Sequence, residues 1–217
     1  MKNKQLILFD LDGTLTDPKE GITKSFRFAL EKLGYPEEDL DELEKVIGPP
    51  LWDSFQDYYG MTREQADLGV QYYRERYRDV GKFENILIEG IPELLWELKA
   101  AGKQLALATS KPTDYSIEIL QHFEIDQPFD QMIGSNLDGT RINKDEIIQH
   151  VLSLFDIPAE NIVMIGDRKH DIIGAKAHGI DSIGVLFGYG SRQEFEQHGA
   201  TIIVETVDEL KQVLLGS

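Results

Sequence analysis

Six polar residues of useful chemistry stand at or near the ends of apolar runs. Asp10 and Asp12 close LILFDLD (6–12) and are followed by Gly13-Thr14. Thr109 follows LALA (105–108) and leads into Ser110-Lys111, while Asp167 follows IVMIG (162–166), with Asp171 four residues later in GDRKHD. Lys144 opens KDEII. Each residue alone has a plain structural reading. Thr and Ser end strands, Asp-Gly makes a turn, Asp167 and Asp171 serve as turn and cap residues, and a lysine in a first helical turn points to water at a cost of ~0.3–1 kcal/mol. Together they describe something else. Four carboxylates cannot share a crevice in ionised form unless cations offset them. Hard oxygen ligands with no His or Cys among them suit Mg²⁺, which keeps several waters and is usually held beside a substrate phosphate. With a lysine, hydroxyls and backbone donors, the set has the parts of a phosphoryl-transfer site. A calcium loop does not fit: counting Asp10 as position 1, position 6 is Leu15 rather than Gly, and position 12 is Gly21 rather than Glu.

The elements that would gather these residues follow from the patterning. LILF is short, wholly apolar and bounded by turn residues, so it reads as a strand buried on both faces. QLALATS (104–110), QMIGS (131–135), NIVMIGD (161–167), SIGVL and TIIV are read as further strands. Helical spacing separates them: Ile91, Leu94, Leu95 and Leu98 up to Gly102, a helix after Pro112, then Ile147, Ile148, Val151, Leu152 and Phe155, another helix ending at Gly179, and a last one at the C-terminus. Asn143 is expected to cap the helix that Lys144 opens, with Glu146 completing a capping box. Strands alternating with helices predict an α/β fold, a doubly wound parallel sheet of Rossmann-like type with ligands at its carboxyl edge. Between about residues 16 and 79 only helical patterns occur, with Ile22, Phe26, Leu30 and Leu33 before Gly34 and a second stripe of Val70, Tyr73 and Tyr77. Acidic PEEDLDELEK (36–45) reads as a solvated helix face. The expected division is a catalytic core of residues 1–15 and 80–217, interrupted by an all-helical cap domain of residues 16–79.

Composition narrows the partners. The 217 residues carry 22 basic and 39 acidic side chains, a formal charge of −17, and no cysteine. A nucleic-acid polymer held by its backbone needs a basic surface, and thiolate chemistry and disulfides are excluded. No apolar run reaches membrane-spanning length, and the N-terminus has no signal-peptide pattern. The expectation is a cytoplasmic protein, a monomer or small homo-oligomer, whose partner is a small phosphorylated metabolite.

The motifs resemble those of the haloacid dehalogenase-like hydrolase superfamily. All four match in order between residues 10 and 171: DxDGT from Asp10 to Thr14, the strand-end hydroxyl at Thr109, the lysine at Lys144, and GDxxxD from Gly166 to Asp171. The helical insert resembles the family's C1-type cap. The resemblance implies that Asp10 is a nucleophile that becomes an aspartyl-phosphate, and that Asp12 is the general acid and base. Thr109, Ser110 and Lys144 would hold phosphoryl oxygens. Mg²⁺ would be bound by Asp10, the backbone carbonyl of Asp12 and Asp167, with Asp171 in support. An acid–base aspartate two residues after the nucleophile separates phosphatases from the superfamily's dehalogenases. Within the superfamily the chain is similar to the phosphoglycolate phosphatase and 5′-nucleotidase-like branch. GPPL (48–51) lies where that branch has its cap specificity loop, and GDRKHDIIGAKAHGIDSIGVLFGYGS and LDGTRINK lean toward 5′-nucleotidase-like members.

The expected function is therefore a Mg²⁺-dependent phosphatase acting on a nucleoside 5′-monophosphate. A phosphoglycolate phosphatase is the alternative, with Lys24 or Arg27 as its cap cation. A sugar phosphomutase and a catalytically silent binding protein are alternatives of other types. Specificity candidates are Gly48, Pro49, Pro50, Trp52 and Arg141. Trp52 has two readings: with Phe55 and Tyr59 it keeps helical spacing and suits the cap's own core, or its ring stacks on a nucleobase. The second LDGT, at 137–140, follows Asn136 rather than an aspartate and is read as a turn.

Overall fold

A computed structural model describes residues 1–36 and 39–216. The chain forms two compact units, Met1–Asp17 with Leu87–Ser217, and Pro18–Ile86. The helical unit thus ends at Ile86, seven residues later than the patterning predicts. The intervening segment holds to its own helices: Gly21 N–H donates to Glu84 O at 2.9 Å, and Arg76 makes a two-pronged bond to the Glu84 carboxylate at 2.6 and 2.9 Å.

In the first unit six strands form one sheet in the order β5-β4-β1-β6-β7-β8. They are β1 (Leu6–Phe9), β4 (Gln104–Pro112), β5 (Gln131–Ser135), β6 (Ile162–Gly166), β7 (Asp181–Val185) and β8 (Ile202–Val204), and every pairing is parallel. The two-residue strands β2 (Thr16–Asp17) and β3 (Ile86–Leu87) pair separately. β1 is central, with Leu8 in register with Ala106 on one side and Met164 on the other.

The continuous apolar runs have the expected cause. Alternate side chains point to opposite faces, and both faces are covered. Ile7, Phe9, Leu105, Leu107, Val163 and Ile165 pack with residues of α4 (Ile91–Ala100), α5 (Thr113–His122) and α9 (Val207–Leu215). Leu6, Leu8, Ala106, Ala108 and Met164 pack with residues of α6 (Lys144–Leu152) and α7 (Lys169–Ala177). Strand order reverses across β1, where open α/β sheets bind ligands at their carboxyl ends.

Three local expectations differ. A helix α8 (Arg192–His198) forms where none was read. Phe195 is its one buried apolar residue, so no periodicity marks it, and Ser191 Oγ caps it by accepting from Glu194 N–H at 3.1 Å. Asn143 stands at the N-cap position of α6 but makes no side-chain cap bond, so the capping box is absent. The solvated helix expected over 36–45 falls partly on Glu37 and Glu38, outside the described residues; farther on, a 3₁₀ turn forms at Glu42–Val46. Its inward residues Leu43 and Val46 are three apart, the spacing that a 3₁₀ turn aligns.

The helical unit contains α1 (Lys19–Lys32), α2 (Leu51–Tyr59) and α3 (Arg63–Tyr77). Phe26 of α1 stacks on Phe55 of α2, with ring centroids 4.2 Å apart. A full capping box at Thr62 and Gln65 starts α3. Among the described residues no helix is long and apolar enough to cross a membrane.

Candidate active site

Asp10 leaves β1 at the sheet's carboxyl edge and is buried. Its Oδ1 accepts the Leu11 backbone N–H at 2.7 Å, and its Oδ2 lies 2.9 Å from Lys144 Nζ. Lys144, in the first turn of α6, has its charge opposed by the helix dipole, and its surroundings explain why the charge is tolerated. The ammonium also lies 2.8 Å from Asp171 Oδ1 and donates to Ala108 O at 2.9 Å. Burial alone would lower the pKa of this ammonium, but Asp10 and Asp171 outweigh it and hold the group above the ordinary lysine value.

Asp171 is fully buried at the start of α7, and its Oδ2 accepts the Arg168 backbone N–H at 3.1 Å. This close packing needs Gly166: a Cβ there would lie 2.1 Å from the Asp171 carboxyl carbon. Gly13 has a similar role on the other side of the crevice. Its φ of +75° turns the chain after Asp12, and a Cβ would lie 2.1 Å from Asp167 Oδ2. The Asp-Gly turn is thus both a turn and a wall of the site.

Asp10, Asp167 and Asp171 each bring one carboxylate oxygen within 4.8 Å of the others. Asp167 Oδ2 accepts the Tyr189 backbone N–H at 2.9 Å, whereas Asp167 Oδ1 is buried with no hydrogen-bond partner. Burial, then Asp171 and Asp10, push the Asp167 carboxyl well above the usual carboxylate range. Burial raises Asp171 as well, against the pull of Lys144. These groups are therefore short of positive charge, and a bare buried oxygen faces the deficit. That donor set, all hard oxygen, fits a divalent cation. Both oxygens of Asp10 and both of Asp171 already face a donor, whereas Asp167 Oδ1 faces none, so of the three carboxyl groups Asp167 is the best placed to take up a cation.

Asp12 lies beside this cluster, its Oδ2 2.7 Å from Lys111 Nζ. Burial raises its carboxyl above the ordinary value and Lys111 opposes that. Thr109 is buried in β4, where its Oγ1 accepts the Lys111 backbone N–H at 3.3 Å; Ser110 is half-buried beside it. The first unit therefore brings Asp10, Asp12, Thr109, Lys144, Asp167 and Asp171 to one edge of the sheet.

Two further residues belong there. Lys111 was legible only as a neighbour of Thr109; its pairing with Asp12 depends on strand register. Tyr189, in the loop after β7, gives its amide to Asp167 and its hydroxyl to Asp17. Nothing in FGYG except its two glycines marks it in the sequence.

The other candidates have local partners. Arg141, with φ +50°, donates from Nε to Gly134 O at 2.9 Å and from its guanidinium to Asn136 Oδ1 at 3.0 Å, so it ties down the turn of residues 137–140. Gly48, Pro49 and Pro50 are half-buried in the helical unit and lead into α2. Trp52 is only 8 % exposed. Its indole N–H donates to Asp67 Oδ1 at 2.7 Å, and the Arg63 and Arg74 guanidinium groups lie 5.2 and 5.3 Å from the ring centroid. These contacts of the ring all lie within the helical unit.

Known proteins resemble this chain over nearly its whole length. The chain is 49 % identical over 208 residues to a 5′-nucleotidase from Pseudomonas aeruginosa, covering 96 % of this chain and 94 % of that one. It is 40 % identical to the tyrosine-protein kinase PtkA of Mycobacterium tuberculosis, covering 98 % of this chain and 73 % of PtkA, and 30 % identical to a phosphoglycolate phosphatase from Colwellia psychrerythraea, covering 97 % and 96 %. A crystal structure of a predicted phosphatase from Clostridium acetobutylicum superposes with a TM-score of 0.96 at 44 % identity and 99 % coverage of both chains. Residues 7–185, from β1 to the end of β7, match the haloacid dehalogenase-like hydrolase family, and the chain belongs to it.

Proposed function

We propose that this phosphoric monoester hydrolase releases phosphate from nucleoside 5′-monophosphates through an aspartyl-phosphate on Asp10, with Mg²⁺ as its cofactor. The observation that carries the chemistry is the Asp10 carboxylate, oriented by Leu11 N–H and Lys144 Nζ, with Asp12 two residues away. In the first step an Asp10 oxygen forms a bond to phosphorus as the ester P–O bond breaks, and Asp12 gives its proton to the leaving oxygen. In the second, Asp12 takes a proton from water, the water oxygen attacks phosphorus, and the acyl–phosphate bond breaks to return Asp10. Lys144 and Thr109 hold the phosphoryl oxygens and stabilise charge that develops on them. Asp171 keeps Lys144 aimed at Asp10. Asp10, Asp167 and the Asp12 carbonyl are the ligands for Mg²⁺, which when bound offsets the negative charge gathered at the site.

The nucleotide reading draws on the Pseudomonas 5′-nucleotidase. Phosphoglycolate is the second reading, supported by the Colwellia enzyme. Its carboxylate would need a cation. In the helical unit Lys24 is paired with Glu20 and, at 3.4 Å, with Glu84, and Arg27 faces Glu31 at 3.7 Å. A panel of phosphomonoesters, assayed for phosphate release with Mg²⁺, tests the assignment. Nucleoside 5′-monophosphates should exceed phosphoglycolate and phosphotyrosine in kcat/KM by at least about tenfold. A preference for phosphoglycolate would reassign the substrate, and isomerisation of a sugar phosphate without phosphate release would reassign the reaction.

A further inference from the structure

Lys111 and Asp12 form an ion pair almost closed to solvent. Their side chains are 5 % and 13 % exposed, and the ammonium lies 2.7 Å from Asp12 Oδ2. The other oxygen, Asp12 Oδ1, is buried with no hydrogen-bond partner. Lys111 is held in turn by the strand: its backbone N–H donates to Thr109 Oγ1 at 3.3 Å. The two oxygens of one carboxyl group thus have opposite surroundings, one gripped by a cation and the other bare.

A buried pair of this kind is a poor source of stability. The cost of removing two charges from water is repaid only with good geometry and further hydrogen bonds, and a neutral pair of similar volume often serves as well. One bare oxygen makes the pair less favourable still. Its value is in orientation. A general acid works when its proton lies on the line to the leaving group, and a carboxyl free to rotate spends part of its time misaligned.

We propose that Lys111 is a positioning residue for Asp12: it grips Oδ2, fixes the rotation of the carboxyl group, and leaves Oδ1 as the oxygen that carries the proton. The inference rests on the acid–base reading of Asp12 given above. In the first step the Oδ1 proton passes to the leaving oxygen as the ester P–O bond breaks, and the carboxylate that remains is matched by the Lys111 ammonium. In the second step one water proton returns to Oδ1 as the water oxygen bonds to phosphorus. Lys111 keeps its own protons throughout, and the net reaction consumes one water.

The test compares two substrates in single-turnover experiments with Mg²⁺ present. The leaving group of adenosine 5′-monophosphate is the adenosine 5′-alkoxide, which needs a proton; that of p-nitrophenyl phosphate is the stable p-nitrophenolate, which does not. Lys111→Met should slow release of adenosine about 10²-fold and release of nitrophenol less than about threefold; because it strands the buried Asp12 carboxyl, the melting temperature should fall as well. Lys111→Arg should recover much of the loss. Added to Asp12→Ala, Lys111→Met should have no further effect, since residues acting through one another are not additive. If Lys111→Met does not fold, Lys111→Gln keeps a donor without the charge and should discriminate in the same direction by a smaller factor. A rise in KM for both substrates with unchanged release rates would make Lys111 a phosphoryl ligand and overturn the proposal. Equal slowing of both substrates would mark it as structural. If Asp12→Ala discriminates between the substrates and Lys111→Met does not, the Lys111 proposal fails alone; if neither does, the acid–base reading of Asp12 fails with it.

Discussion

The carboxyl edge of the sheet and the helical unit use charge in opposite ways. At the sheet edge, charges are buried and pair between segments far apart in sequence: Lys144 with Asp10 and Asp171, Lys111 with Asp12. In the helical unit many ion pairs are local. Lys24–Glu20, Arg27–Glu31 and Arg63–Asp67 all have the i,i+4 spacing of one helix face and sit largely in solvent. Rings form much of its core, such as Phe26 on Phe55 and Tyr73 beside Tyr77, whose centroids are 5.0 Å apart. Exposed helical pairs cost little and contribute little. Buried charges carry a desolvation cost that folding alone does not require, so they point to chemistry. Trp52 sharpens the contrast: it follows the GPPL loop, yet the ring is nearly buried and its indole N–H is bonded to Asp67.

The strongest test of this contrast is Asp10→Asn. The amide is nearly isosteric but a poor nucleophile, and one negative charge leaves a crowded acidic site. Turnover should fall by at least about 10⁴-fold without loss of thermal stability; near-normal phosphate release from the folded variant would remove Asp10 from its role. Metal should matter almost as much. Chelation should abolish turnover and Mg²⁺ restore it, whereas Ca²⁺, which takes more ligands at longer distances, should inhibit. Equal rates under all three conditions would contradict a metal-dependent site.

In the helical unit the expected effects are on stability. Trp52→Ala should lower the unfolding free energy by about 3 kcal/mol in a denaturant titration, while the ratio of kcat/KM for nucleotide over phosphoglycolate stays within about twofold. A collapse of that ratio would return Trp52 to the binding surface.

A smaller effect concerns pH. Burial, opposed by Lys144, raises the Asp171 carboxyl from 3.8 to about 7. The folded protein then holds this proton more tightly than the unfolded chain does. The stability so gained is complete below the unfolded value and is lost as pH rises through about 7. Asp12 and Asp167 are shifted in the same direction. His170, lowered from 6.5 to about 4 mainly by burial, acts oppositely but only below about pH 6.5. The metal-free protein should therefore melt at lower temperature as pH rises from about 6.5 to about 8, and Asp171→Asn should flatten the slope. A melting temperature that climbs across this window would contradict the assignment. The smallest effect belongs to a local pair: Glu31, 49 % exposed opposite Arg27, should tolerate replacement by Gln within about 0.5 kcal/mol. A larger loss would blur the contrast between the two regions.

How much of this was written in the sequence depends on the range of the interaction. Apolar runs such as LILF and IVMIG determine strands buried on both faces, because a strand alternates its side chains and a parallel sheet covers both sides. DLDGT and GDRKHD determine turns at the ends of those strands, and their glycines are legible because no Cβ fits. The four motifs in order were enough to indicate the family and the residues that meet. Weakly patterned pieces were not legible. α8 has a single buried apolar residue, and Asn143 occupies a capping position without capping. The segment up to Ile86 is tied to the helical unit by Arg76 reaching Glu84 and by the Gly21 N–H bond to Glu84 O, contacts without a periodic signature. Charge pairing was the least legible feature. Lys144 in a first helical turn was an anomaly until the sheet carried Asp10 and Asp171 to within 3 Å of it, and Lys111 was only a residue after Thr109-Ser110 until β4 lay beside β1 and brought it to Asp12. Local sequence determines which residues can turn, alternate and cap; which buried cation meets which carboxylate is decided only by strand order and register.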